Sequence, residues 1–363
     1  MKNLKTLKSI FMAFAIVAML VSCGDDDTPT PIKDNYKENI KNITNNIIVK
    51  TYSDLADNAA DLVTKATALK DGASEETLTA AKTAWQNTRK PWESSEGFLF
   101  GPVGDAGLGT DGAIDSWPVN VVDMQALLDS GNTLDEPAID AQINEAKGFH
   151  LIEYLLWGID GNKKATDLTV RELEYVVAAC ENLAKKTADL KEAWISSGGN
   201  YVANFLNAGT SGKYTSEKGA LEDFVSGMIV IADEVANGKI NTPLNGDPST
   251  GTPAGPEQEE SRFSHNSKLD FANNVRSIQN VYNGTYLSSN GKGLSPIIAG
   301  KDAALDTKFK TEITEAIEAI EAISGTFTSA LASDRAGIEN AQAKVRTVQE
   351  TLESKIKPLV SKL

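Results

Sequence analysis

Residues 148–158, Gly-Phe-His-Leu-Ile-Glu-Tyr-Leu-Leu-Trp-Gly, place an imidazole and a carboxylate three positions apart in an otherwise apolar run. On a helix turning about 100° per residue, Glu153, Tyr154 and Trp157 fall within roughly 60° of His150. Phe149, Leu151, Ile152, Leu155 and Leu156 cover the remaining surface, so this helix is apolar nearly all round and is expected to be buried. An unpartnered buried carboxylate is costly, so Glu153 must be paired, protonated or bound to a cation. A histidine and a carboxylate at i, i+3 is also how metal sites in helical bundles are built. The competing reading is a Glu–His or Glu–Arg pair that only satisfies the core.

Two further stretches carry chemistry-bearing residues. In Trp85 to Pro102, Arg89, Glu93 and Glu96 recur at spacings of four and three on one helical face, and Pro91 interrupts the backbone ladder beside them. This suits an intrahelical salt bridge, but the surrounding aromatic residues argue against a solvated face. In Glu260 to Asp270, His265 precedes Ser267 and Asp270, whose spacing predicts a capping box and a helix start. The run Gly107 to Gly112 matches the dinucleotide glycine pattern formally, yet no strand precedes it and Asp105, Asp111 and Asp115 would repel a pyrophosphate. It reads as a flexible loop with an acidic lining, with Asp115 and Trp117 positioned to close over a pocket. Glu312, Glu315, Glu318 and Glu321 repeat every three residues, which drifts about 60° per step and cannot converge on one ion, so they form a solvated face. The serine-hydrolase, Walker, HExxH and paired CxxC signatures are absent from the sequence.

The elements that must position these residues are helical. Apolar positions three and four apart predict helices near 34–70, 75–100, 118–130, 136–158, 168–196, 214–238, 265–283, 302–332 and 335–360. Residues 101–118 and 241–260 are rich in Gly, Pro, Ser and Thr and read as long loops. A shorter break at 159–167 suggests an all-α chain of two helical bundles in series, an N-terminal one at 34–160 and a C-terminal one at 161–363.

The whole chain has 363 residues, 41% hydrophobic and 23% charged, enough to bury a sizeable core. Its formal charge of −15 repels a phosphate backbone, which excludes nucleic acid as a partner and favours cations, metal ions among them. Lys2, Lys5 and Lys8 precede an apolar run from Ile10 to Val21, too short to span a bilayer comfortably and suited to a signal peptide at 1–22. Leu20-Val21-Ser22-Cys23 resembles a bacterial lipobox, so Cys23 is expected to carry a lipid and residues 23–33 to form a tether. That anchors the chain at a membrane of the cell envelope, on the periplasmic or the outer face. With Cys23 acylated, only Cys180 remains, which rules out an internal disulfide or a cysteine-based metal cluster.

Gly148-Phe149-His150-Leu151-Ile152-Glu153 resembles the GxHxxE motif of the imelysin family. Trp85 to Pro102 is similar to that family's aromatic, Arg- and Glu-bearing segment, and Glu260 to Gly284 to its S-x-F-S-H-N block. The resemblance implies an all-helical cell-envelope protein whose two bundle halves meet around a pocket. It implies that His150 and Glu153 line that pocket, joined by Arg89, Glu93, Glu96, Asp115 and His265 from the other blocks. Arg262 departs from the pattern, standing where a small residue or proline is expected. The family is linked to bacterial iron uptake, and some members are classed as metallopeptidases. Three functions follow as expectations. The first is a lipid-anchored component of iron uptake that binds a metal ion, iron or zinc, or a metal-bearing small ligand, and works with iron-transport machinery. The second is a metallopeptidase with Glu153 or Glu93 as general base and His150 as a ligand. The third is a non-catalytic surface module that binds proteins through its loops.

Overall fold

Tyr52, Leu55, Ala59 and Leu62 recur at helical spacing and are all buried, and they define the inner stripe of a long helix. The computed structural model describes residues 35–104 and 108–363, so the signal peptide, Cys23 and the tether lie outside the described residues. The chain begins with α1 (Lys37–Asn42), which passes through a π turn at Ile43–Ile48 into α2 (Val49–Asp71). α3 (Glu75–Glu93) is capped by Ser74 and is followed by short helices α4 (Thr110–Asp115), α5 (Val121–Asp129) and α6 (Glu136–Asp140). Then come α7 (Gly148–Trp157), α8 (Val170–Trp194), α9 (Val202–Leu206), α10 (Glu217–Asp233) and α11 (Asn241–Asn245). The remainder is α12 (Ser267–Asn283), α13 (Ser295–Lys301), α14 (Ala303–Glu321), α15 (Phe327–Ser333), α16 (Arg335–Thr351) and α17 (Lys357–Val360). Among the described residues the sheet content is one antiparallel pair, with Thr285 opposite Asn290 and Tyr286 opposite Ser289.

Helices α2, α3, α7 and α8 pack together, as do α10, α12, α14 and α16. The all-α fold of two serial bundles is therefore observed. The division falls later than residue 160, because α8 carries a continuous buried stripe through Leu173, Val176, Cys180, Leu183 and Leu190 that seats on α2 and α7. The two bundles meet where α3 touches α12 and where the turn Glu96–Phe98 lies against α10 and α12. No helix among the described residues is long and apolar enough to cross a membrane.

Several expected boundaries move. The helix expected over 75–100 ends at Glu93 and tightens into the turn at Glu96–Phe98. The helix expected over 302–332 is two, because Thr326 and Ser329 form a capping box that starts α15 afresh. The stretch 136–158 is broken as well. Gly148 opens α7 at φ 73°, and a Cβ there would collide with the carbonyl oxygens of Ala113 and Ile114. The glycine of the motif thus lets the start of α7 press against the end of α4, which brings His150 beside Asp115. Loop 101–118 contains α4, Asp105 lies outside the described residues, and loop 241–260 contains α11 and a bridge between Asp247 and Thr252. Ser267 does start α12, but not through a capping box: its hydroxyl donates to Glu259 and to the Glu260 carbonyl, and Asn266 rather than Ser267 flanks the helix.

Candidate functional site

Helix α3 delivers Arg89 and Glu93 one turn apart on the face that meets the second bundle, both fully buried. Arg89 Nη2 lies 2.6 Å from Glu93 Oε1 and 2.6 Å from Glu260 Oε1, Nη1 contacts Asp115 Oδ1, and Nε stands 3.4 Å from Asp270 Oδ2. One guanidinium therefore faces four carboxylates from four segments, with the Phe149 ring 5.0 Å beneath it. The indole N–H of Trp92 donates to Asp115 Oδ2 at 2.5 Å. Lys239 ends a π turn, Glu234–Lys239, that follows α10, and its buried ammonium lies 2.8 Å from Glu96 Oε2 and 3.2 Å from Glu260 Oε2. Asn274 Nδ2 donates to Glu93 Oε2 at 2.6 Å.

His150 stands at the edge of this cluster. Its Nδ1 is 2.9 Å from Glu153 Oε2, its Nε2 is 3.0 Å from Asp115 Oδ1, and Glu260 Oε1 lies 3.9 Å away. Glu153 is fixed in turn by the Ser264 backbone N–H and hydroxyl, both donating to Oε1 at 2.7 Å. The turn that presents Ser264 holds Ser261 and His265 in the left-handed region, φ 49° and 58°, at a cost of about 1–2 kcal/mol each. His150 and Glu153 line a cavity of about 190 Å³ together with Trp117, Glu259, Arg262 and Phe263. A second cavity of about 240 Å³, on which Glu96, Asp111, Asp115, Glu234 and Lys239 open, shares the Trp117 wall.

Six carboxylates, Glu93, Glu96, Asp115, Glu153, Glu260 and Asp270, thus surround Arg89, Lys239 and His150, so the cluster cannot be fully ionised and neutral. Protons or a further cation must make up the difference. Burial, reinforced by their carboxylate neighbours, pushes Glu93 and Glu96 well above the usual carboxylate range against the pull of Arg89 and Lys239. Burial likewise raises Asp270 to about 6 despite Arg89. Asp115 goes the other way, because Arg89 and the bond from His150 outweigh its burial and hold it far below the ordinary value. For His150, burial and Arg89 act downward, but the hydrogen bonds to Asp115 and Glu153 prevail and raise the imidazole to about 9. At neutral pH it carries a proton.

Asp115, His150 and Glu260 can each direct one ligand atom to a common point, with all three atoms within 4.8 Å of one another, as can Glu93, Glu96 and Asp115. The first set fits a metal ion better. His150 Nε2 is buried with Asp115 Oδ1 3.0 Å and Glu260 Oε1 3.9 Å away, its partner nitrogen is oriented by a carboxylate as in metal-binding histidines, and carboxylate plus imidazole suits iron or zinc. Acids of both sets pair with Arg89 or Lys239, and only the first set brings an imidazole. An ion at the first would replace the His150 proton.

The arrangement collects Arg89, Glu93, Glu96, Asp115, His150 and Glu153, each a residue singled out from the sequence. It does not collect His265, which is exposed, left-handed in backbone, and stands beside Gly161. Lys239, Glu260, Asp270, Asn274 and Ser264 belong to the site and were not anticipated. A signal existed for two of them, since Asp270 and Asn274 fall one turn apart on the polar side of a helix whose apolar stripe is Phe271, Val275, Ile278 and Tyr282.

The fold and site define an all-helical protein with two bundles clasping a buried, predominantly acidic cleft. The imelysin peptidase-family model matches residues 48–355, and the chain belongs to the imelysin family. It is 30% identical over 336 residues to iron-regulated protein A of Synechococcus elongatus, an alignment covering 89% of this chain and 86% of that protein. Among solved structures, an iron-regulated protein A precursor from Parabacteroides distasonis superposes with a TM-score of 0.79 at 25% identity, covering 92% of this chain and 97% of the other. An imelysin-like protein from Psychrobacter arcticum has the same fold, with a TM-score of 0.73 at 14% identity over 90% and 95% of the two chains.

Proposed function

We propose that this chain is a lipid-anchored cell-envelope protein of iron handling that holds a metal ion, or a ligand bearing one, where Asp115, His150 and Glu260 converge. The observation that carries this reading is the oriented imidazole. His150 is fixed through Nδ1 by Glu153 while its buried Nε2 faces Asp115 and Glu260 at the wall of a cavity. The relative named iron-regulated protein A supports iron as the context, and the N-terminal Lys-rich and apolar run ending at Cys23 supports the anchor. In this reading iron is cargo rather than a resident cofactor.

Binding is favoured over peptide hydrolysis because the two carboxylates expected to serve as base are both engaged. Glu153 spends its oxygens on Ser264 and His150, and Glu93 is gripped by Arg89 and Asn274. Metal content of the purified chain, measured by mass spectrometry after exposure to ferrous or zinc ions, tests the reading. His150→Ala is expected to abolish binding at this site, and Glu153→Gln to weaken it roughly 10-fold by releasing the imidazole. Equal and negligible metal in wild type and both variants would overturn it.

A further inference from the structure

The cavity beside His150 has a charged wall that cation binding alone does not use. Arg262 lines it, half-buried, and its guanidinium makes no hydrogen bond or close ion pair among the described residues, although its charge acts on the Glu259 carboxyl of the same wall. The group lies over the Phe263 ring, 4.7 Å from its centroid, and Phe263 is itself held edge-on by Tyr154 at 5.1 Å. This stacking orients the guanidinium while leaving its donors open. The other acids of the wall are differently placed. Glu153 is occupied by Ser264 and His150, Glu259 accepts from Ser267 and Thr328, and Glu257 stands at the exposed rim where water and salt screen it.

An oriented guanidinium with open donors is suited to grip a carboxylate by two parallel bonds. It also repels a bare metal ion entering the same cavity, so a naked cation and this arginine work against one another. An anionic chelator reconciles them, since it brings the cation in with its charge already compensated and offers a spare acid group to the wall. The space restricts its size: about 190 Å³ is below the roughly 300–1,000 Å³ of sites for drug-sized ligands. We propose that the cavity receives its metal together with a small hydroxycarboxylate chelator, with Arg262 holding a free carboxylate of the chelator. This rests on the cation-binding reading above and specifies the ligand class for that site.

Calorimetric titration of the purified chain with ferric citrate, citrate alone and zinc chloride alone tests it, using wild type, Arg262→Ala and Arg262→Lys. Arg262 is half-exposed and makes no close ion pair, so both variants are expected to keep the wild-type thermal midpoint. Ferric citrate should bind Arg262→Ala at least 10-fold more weakly than wild type. Arg262→Lys should be intermediate, because an ammonium keeps the charge and loses the two-point contact. Zinc chloride should bind Arg262→Ala at least as tightly as wild type, because the repelling guanidinium is gone, and citrate alone should bind wild type at least 10-fold more weakly than ferric citrate. Equal ferric citrate affinity in wild type and Arg262→Ala, with zinc still bound through His150, would overturn the chelator inference and leave the cation reading standing. Failure of wild type to bind either ferric citrate or zinc would overturn both. Citrate binding alone as tightly as ferric citrate would overturn the metal-accompanied ligand.

Discussion

Two regions of this protein are dense in glutamate and differ completely in what they do with it. On α14, Glu315, Glu318 and Glu321 are exposed, with Glu315 bridged to Lys344 and Glu321 to Arg276, while Glu312 is buried beside Lys308. Around Arg89, carboxylates from α3, α4, the 259–264 segment and α12 converge on one guanidinium with scarcely any solvent between them. Density of acid in the sequence is similar; convergence in space is not. Along α14 the exposed charges of Glu315, Glu318 and Glu321 stay hydrated and weakly coupled, whereas contributions from four segments build a low-dielectric cluster in which each charge alters the others. In the second arrangement burial and neighbours act on ionisation together, holding Asp115 far below the ordinary carboxylate value and raising Glu93 and His150 above theirs.

The sharpest break of this contrast is Arg89→Met. It strands four carboxylates that the guanidinium now faces, and removing one partner of a buried ion pair costs about 3–5 kcal/mol. Protonation of Glu93 and Asp270 offsets part of that loss, so the upper end of the range is a ceiling. Urea denaturation of wild type and variant measures the difference; a loss under about 1 kcal/mol would mean the cluster is not organised by Arg89.

A smaller effect, of the same origin, appears in the pH profile. His150 titrates near 6.5 when unfolded and about 9 when folded, so its contribution is complete below pH 6.5 and is lost as the pH rises through 9. A displacement of that size corresponds to on the order of 3 kcal/mol. The thermal midpoint should therefore fall between pH 6.5 and 9, and His150→Gln should flatten that fall. An identical slope in wild type and His150→Gln would remove the imidazole from the cluster's energetics.

The same contrast explains what could be read from the sequence. His150 with Glu153, and Arg89 with Glu93, lie one turn apart on single helices, so spacing alone exposes each pair. The buried stripes of α2 and α12 were legible for the same reason. Lys239 was not, because a π turn after α10 adds a residue per turn and rotates it away from where a regular helix would put it. Glu260 sits in an irregular segment and reaches Arg89 across 171 positions of chain, a contact that no local pattern encodes. His265 misled because its neighbours Ser264 and Asn266 do reach the site's periphery, while its own left-handed backbone leaves it exposed. Arg262 was visible only as a departure from the family's pattern, and its open guanidinium needed the cavity to give it meaning.

The smallest expected effect tests the other side of the comparison. Glu315→Gln removes a charge paired with Lys344 at 2.7 Å between side chains that are each about two-fifths exposed or more. Such pairs gain little, because water already solvates both partners and holding two long side chains in register costs entropy. Glu315→Gln and Glu318→Gln should each change stability by less than about 0.5 kcal/mol, and the change at Glu315 should vanish in ~1 M salt, where the screening length is about 3 Å. A loss above about 1 kcal/mol that persists in high salt would show that α14's acids are coupled to the core. Convergence from separate segments would then cease to be what distinguishes a working carboxylate from a solvating one in this fold.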